Sequence, residues 1–123
     1  MQSFKRGTYP SSRRLRLPIK KYSKLVRDKI PEIIVASGRQ AYVETLEDSE
    51  FSTALREKLV EEAREVQVAE GADLSAELAD LQEVIDALLV FHGLTREDIT
   101  EVQEERRAER GGFERRIWLG WTE

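Results

Sequence analysis

The chain has 123 residues, 40% of them hydrophobic and 36% charged, with a net charge of -4 and no cysteine. That length suits one domain with a core and is short for two, and the missing cysteines exclude a disulfide framework, a thiolate metal site and a cysteine nucleophile. No apolar run approaches the roughly 18 residues that span a bilayer, and the basic start is not followed by the apolar stretch of a secretory leader. A cytoplasmic protein without a membrane partner is expected.

The charge is unevenly spread. Lys5, Arg6, Arg13, Arg14, Arg16, Lys20 and Lys21 give the first 21 residues +7 with no acid among them, which leaves -11 on the rest. Interspersed with Gly7, Pro10, Ser11, Ser12 and Pro18, residues 1–21 read as a flexible, solubilising arm outside the folded domain rather than as a nucleic-acid grip. Residues 22–123 read as the domain.

In chain order, "RDKIPEIIVASG" (27–38) predicts a short helix, with Pro31 in its first turn and Gly38 closing it. "QAYVETL" (40–46) is β-branched and aromatic, which suits a short strand. "EDSE" (47–50) offers a turn with Ser49 as N-cap, followed by a long helix from about Glu50 to Ala69, ended by Gly71. Asp73 is the expected cap of a second long helix carrying Leu74, Leu78, Leu81, Ile85 and Leu88 on one face and ending near Gly93. Thr95 and Asp98 resemble a capping box and open a third, through "REDITEVQEERRAER" to Gly111-Gly112. "FERRIWLGW" (113–121) alternates enough that residues 113–119 are expected to pair with 40–46 in a small β-hairpin. The expected fold is mainly α, an antiparallel helical bundle.

Residues 61–80, "EEAREVQVAEGADLSAELAD", hold seven carboxylates, and the pattern Glu62-x-x-Glu65 is followed by Glu77-x-x-Asp80. At about 100° per residue, Glu62 falls between Leu59 and Val66, in the middle of the apolar stripe of its helix, and Glu65 lies on the flank. Glu77 lies between the directions of Leu81 and Val84, and Asp80 shares its side with Ala87 and Phe91. Four acids thus face inward from successive helices. Unpaired buried carboxylates protonate, pair with a base, or bind a cation. Two readings stand: acids at a wet bundle edge, paired with Lys58 or Arg64, or an all-oxygen site for a hard ion such as Mg²⁺.

"KLVRDKIPEII" (24–34), "KLVEEAREV" (58–66), "ELADLQEVIDALL" (77–89) and "RGGFERRIWL" (110–119) together resemble the all-α nucleotide pyrophosphohydrolases, a superfamily of MazG-like proteins, and within it a branch labelled phosphoribosyl-ATP pyrophosphohydrolase-like. The resemblance covers about residues 22–119; the connection of eleven residues between Glu65 and Glu77 is short for that group. It implies a helical fold of MazG-like type in which Glu62, Glu65, Glu77 and Asp80 hold Mg²⁺, with Mn²⁺ as a substitute. Water would then attack the α-phosphorus of a nucleoside triphosphate, releasing the monophosphate and pyrophosphate. Small members work as dimers or dimers of dimers, so a homodimer is expected.

A triphosphate needs bases beside those acids. Lys24, Arg27, Lys29 and Arg110 are the candidate substrate-binding bases, and Gly111-Gly112 the candidate backbone contact to phosphate. Lys58 and Glu61 are the candidate catalytic groups, Glu61 as a base or outer-shell acid with a solvent-facing role as its alternative. Asp28 is expected to fix Arg27 or to cap the short helix. Tyr42, Phe113 and Trp118 are expected in the core, and His92 at a helix end. Other readings are phosphoribosyl-ATP hydrolysis in histidine biosynthesis, and a non-catalytic helical interaction module whose basic arm contacts nucleic acid.

Overall fold

A computed structural model describes residues 5–9 by their backbone, residue 19, and residues 22–123. Among these, four helices and two short strands run in the order β1 (Lys5–Tyr9), α1 (Ile30–Ala36), β2 (Ala41–Thr45), α2 (Asp48–Val68), α3 (Ala72–Phe91) and α4 (Arg96–Arg110). The protein is mainly α, as its periodicity implies. The chain divides into two compact units, Met1–Leu88 and Leu89–Glu123, with the divide falling inside α3.

In the first unit, Pro31 occupies the first turn of α1, where its missing N–H leaves no bond unmade. Gly38, at φ 87°, ends that helix: its N–H donates to the Val35 carbonyl at 2.9 Å and the Arg39 N–H donates to the Ile34 carbonyl at 3.3 Å, the paired closure that a left-handed glycine permits. The cap residue of α1 is Lys29, without a side-chain cap bond, so Asp28 does not serve as the cap.

Strand β2 forms where expected, but its partner differs. It pairs antiparallel with β1, in the register Lys5↔Thr45, Gly7↔Val43 and Tyr9↔Ala41. Five residues of the basic arm therefore belong to a sheet; residues 1–4, 10–18 and 20–21 of that arm lie outside the described residues. Residues 113–119 form no strand. The chain turns there instead, with the Arg116 N–H donating to the Phe113 carbonyl at 3.1 Å and Arg116 at φ 57°, a conformation incompatible with extended backbone.

Helix α2 starts earlier than expected, after Glu47 as N-cap, so Ser49 lies within the helix and does not cap it. Asp48 and Glu50 sit in the first turn, where the helix dipole favours negative charge. Residues 69–71 connect α2 to α3; Gly71, at φ 57°, provides the left-handed step. Asp73 falls inside the first turn of α3 and acts through the dipole instead of as the cap. With so short a connection, the meeting of Glu62 with Glu77 and Asp80 described below makes α2 and α3 an antiparallel hairpin. Leu55 of α2, 2% exposed, and Val84 of α3, 8% exposed, are buried hydrophobic residues of the first unit. Leu74 and Leu78 remain exposed.

In the second unit, α4 opens with the capping box that the sequence spells out: the Thr95 hydroxyl accepts from the Asp98 N–H at 3.1 Å, and the Asp98 carboxylate accepts from the Thr95 N–H at 2.8 Å. Gly111, at φ 83°, closes it, donating its N–H to the Arg107 carbonyl at 2.8 Å. The aromatics do not form a core: Phe113 and Trp118 are more than nine-tenths exposed, and in the first unit Tyr42 is exposed as well. No helix among the described residues is long and apolar enough to cross a membrane.

Candidate metal centre

The α2–α3 hairpin brings Glu62, Glu77 and Asp80 together, each with a carboxylate oxygen within 4.8 Å of the others. All three are partly buried. Glu62, which interrupts the apolar stripe of α2, keeps only 13% of its side chain exposed. Glu65, expected as a fourth ligand, is exposed and lies outside this set. One helical step of three residues rotates it to the wet flank, although its charge still reaches Glu77.

Bases surround the acids unevenly. The segment before α1 reaches the hairpin twice: the Lys24 ammonium donates to Glu61 at 2.8 Å, and the Arg27 guanidinium donates to Asp80 at 2.8 Å. Arg27 is therefore fixed by Asp80 and not by Asp28. From within α2, Lys58 lies 2.8 Å from Glu61 and 3.5 Å from Glu62. Glu77 has no hydrogen bond or ion pair with any described residue. Its pKa is raised above the ordinary 4.5, first by partial desolvation and then by the charges of Asp80, Glu65, Glu62 and Asp73. The cluster thus holds one acid with no basic partner among the described residues.

Glu61 behaves differently. Hydrogen bonds from Lys24 and then Lys58 lower its pKa below 4.5. Two ammonium groups that hold a carboxylate ionised make it a weak base, and they also take it out of free solvent. Its role is to anchor both lysines beside the cluster. That anchoring carried no signal in the sequence, because Lys24 is 37 residues away.

Lys29 is exposed at the start of α1. Arg110, Gly111 and Gly112 belong to the second unit, at the end of α4. There Gly111 has its N–H committed to Arg107, and Glu114, paired with Arg107, lies so close to Gly112 that an added Cβ would meet its carboxylate at 2.5 Å. Among the described candidate bases of the first unit, Lys24, Arg27 and Lys58 are paired with these acids or their neighbour Glu61.

The three carboxylates fit a small divalent ion. Opposite oxygens around a six-coordinate Mg²⁺ lie about 4.2 Å apart, which falls inside the 4.8 Å that bounds these three oxygens, and the donor set is entirely oxygen. An open recess is lined by Lys24, Leu25, Ala54, Glu57, Lys58 and Glu61, and its two bases are both paired with Glu61. A neighbouring recess, lined by Leu46, Ser49, Glu50, Thr53, Ala54 and Glu57, has no base.

No protein-family model matches the chain, and no solved structure matches it. The chain is similar to a protein of Mycolicibacterium smegmatis described as an uncharacterized protein, with 47% identity over 55 residues, 45% of this chain. That stretch covers 56% of the relative's length.

Proposed function

We propose that the chain is a Mg²⁺-dependent nucleotide pyrophosphohydrolase of the MazG-like type, acting in the cytoplasm on a nucleoside triphosphate or a similar nucleotide. The observation that carries this reading is the convergence of Glu62, Glu77 and Asp80 across the hairpin, with Glu77 having no basic partner among the described residues. The four sequence motifs support it, since two of them supply these acids and a third supplies Lys24 and Arg27.

Glu62, Glu77 and Asp80 would hold the ion, with Glu65 in reserve on the flank. When bound, Mg²⁺ supplies charge neutralisation for the triphosphate and lowers the pKa of water. Lys58, 3.5 Å from Glu62, orients that carboxylate, and Glu61 holds Lys24 and Lys58 where a phosphate chain would lie. In the overall reaction a water oxygen bonds to the α-phosphorus and the α–β anhydride bond breaks, giving the monophosphate and pyrophosphate. Positioning and charge do most of the work in such a transfer, which suits a site made of anchored bases and acids.

A homodimer belongs to the same reading. Val68 in the first unit and Val90, Ile117 and Leu119 in the second are each at least 73% exposed, and the buried apolar residues among those described are Pro31, Leu55, Val84 and Leu89. A second copy would cover such surface. The functional test is a panel of nucleoside triphosphates and phosphoribosyl-ATP with Mg²⁺, followed by pyrophosphate release. Release from at least one triphosphate is expected; release from phosphoribosyl-ATP alone would move the assignment to histidine biosynthesis, and release from none would overturn it.

A further inference from the structure

We infer that Arg27 is an exchangeable placeholder: it occupies Asp80 until a divalent cation takes that carboxylate, and the freed guanidinium then binds a phosphate of the substrate. This rests on reading Glu62, Glu77 and Asp80 as a divalent-cation site.

Three features lead to the exchange. First, Arg27 engages one of the converging carboxylates, through Nη2 on Asp80 Oδ1 at 2.8 Å. A cation that Asp80 would help to hold must therefore compete with Arg27 for that carboxylate, whereas the Glu77 side chain has no partner among the described residues. Second, the pair is weak enough to open: its side chains are 56% and 44% exposed, and ion pairs that wet are nearly neutral in stability. A divalent ion shared by several carboxylates gains more than a monovalent base on one of them. Third, Arg27 has nowhere far to go. Its carbonyl accepts the Ile30 N–H at 3.0 Å at the entry to α1, and three residues earlier Lys24 is tied to Glu61. The backbone stays in place and only the side chain swings. A guanidinium released beside Lys24 and Lys58 is suited to a phosphate, which it grips with two parallel hydrogen bonds.

The exchange has a signature that loss of a structural contact would not produce. Binding of Mn²⁺ alone, followed by its electron paramagnetic resonance, and binding of pyrophosphate in excess Mg²⁺, followed by calorimetry, are compared in wild-type protein, Arg27→Gln, Arg27→Lys and Glu77→Gln. Arg27→Gln should bind Mn²⁺ about two- to fivefold more tightly, because the competitor is gone, and pyrophosphate about tenfold more weakly. Arg27→Lys keeps the charge but not the fork, so Mn²⁺ affinity should return toward wild type while pyrophosphate affinity should not. The exchange is overturned if Arg27→Gln binds Mn²⁺ no more tightly than wild type, if Arg27→Lys binds pyrophosphate as well as wild type, or if Arg27→Gln loses its cooperative unfolding. If wild type and Glu77→Gln bind Mn²⁺ equally poorly, the cation site itself fails; saturable wild-type binding indifferent to Arg27 removes the exchange alone.

Discussion

The Arg27 guanidinium donates to the Asp80 carboxylate at 2.8 Å, across 53 residues of sequence. With the Lys24–Glu61 pair, this contact straps the segment before α1 onto the α2–α3 hairpin, so the KLVRD and ELAD motifs of the sequence meet in space. Asp80 is thereby partly compensated while Glu77 has no basic partner among the described residues, and that asymmetry sets the behaviour expected of each acid.

Glu77→Gln should separate function from stability. Removing the uncompensated carboxylate relieves repulsion from Asp80, Glu65 and Glu62, so the melting temperature at neutral pH should hold or rise, while kcat/KM in Mg²⁺ falls by about 10²-fold or more. Because the Glu77 pKa is raised in the folded chain, its favourable contribution is complete below 4.5 and is lost as pH climbs through the raised value. The variant should lack that decline, which pH-dependent thermal melts would detect.

Lys58 has the opposite character. It is 16% exposed and stands between Glu61 and Glu62. Lys58→Met would leave the nearly buried Glu62 facing apolar surface, and should cost about 1–3 kcal/mol in urea unfolding. Millimolar Mg²⁺ should restore part of that loss by replacing the missing charge.

The Lys24–Glu61 pair should show in the acid limb of stability. Hydrogen bonds from Lys24 and then Lys58 lower the Glu61 pKa, so its contribution is present above 4.5 and disappears as pH falls through the lowered value. Lys24, raised above 10.5 by its bond to Glu61, contributes below 10.5 and loses that contribution as pH rises through its raised value. Lys24→Met should flatten the acid limb, and a double-mutant cycle with Glu61→Gln at pH 7 should give a coupling of no more than about 1 kcal/mol, since both side chains are a third or more exposed.

Thr95→Ala tests the local reading of the second unit. It removes the hydroxyl that accepts the Asp98 N–H and should cost about 1 kcal/mol of stability. A Thr95→Ser variant should retain most of it.

The helices were legible where single residues punctuate them. Gly38, Gly71, Gly93 and Gly111 all take positive φ at helix ends, and the Thr95 box is in place, because such signals act over a few residues. The strand partner was not legible: Lys5–Tyr9 joins β2 through backbone bonds, which leave no apolar alternation in a charged arm. Helical angle placed Glu62 correctly on the apolar side but put Glu65 too far inward, since periodicity gives direction and not the depth at which a flank becomes wet. The anchoring of Lys24 and Arg27 on acids 37 and 53 residues away depends on how the entry segment crosses the hairpin, which no local pattern encodes. The exposure of Tyr42, Phe113 and Trp118 likewise reflects tertiary placement, against the ordinary tendency of aromatics to fill a small core.

Hydrolysis of a nucleoside triphosphate in ¹⁸O-labelled water, with Mg²⁺ and with chelator, is the most direct test of the carboxylate cluster as a pyrophosphohydrolase centre. Turnover should require the cation and should place the label in the monophosphate with none in pyrophosphate, as attack at the α-phosphorus demands. Label in pyrophosphate or in free phosphate, full turnover in chelator, or activity unchanged in Glu77→Gln would contradict it.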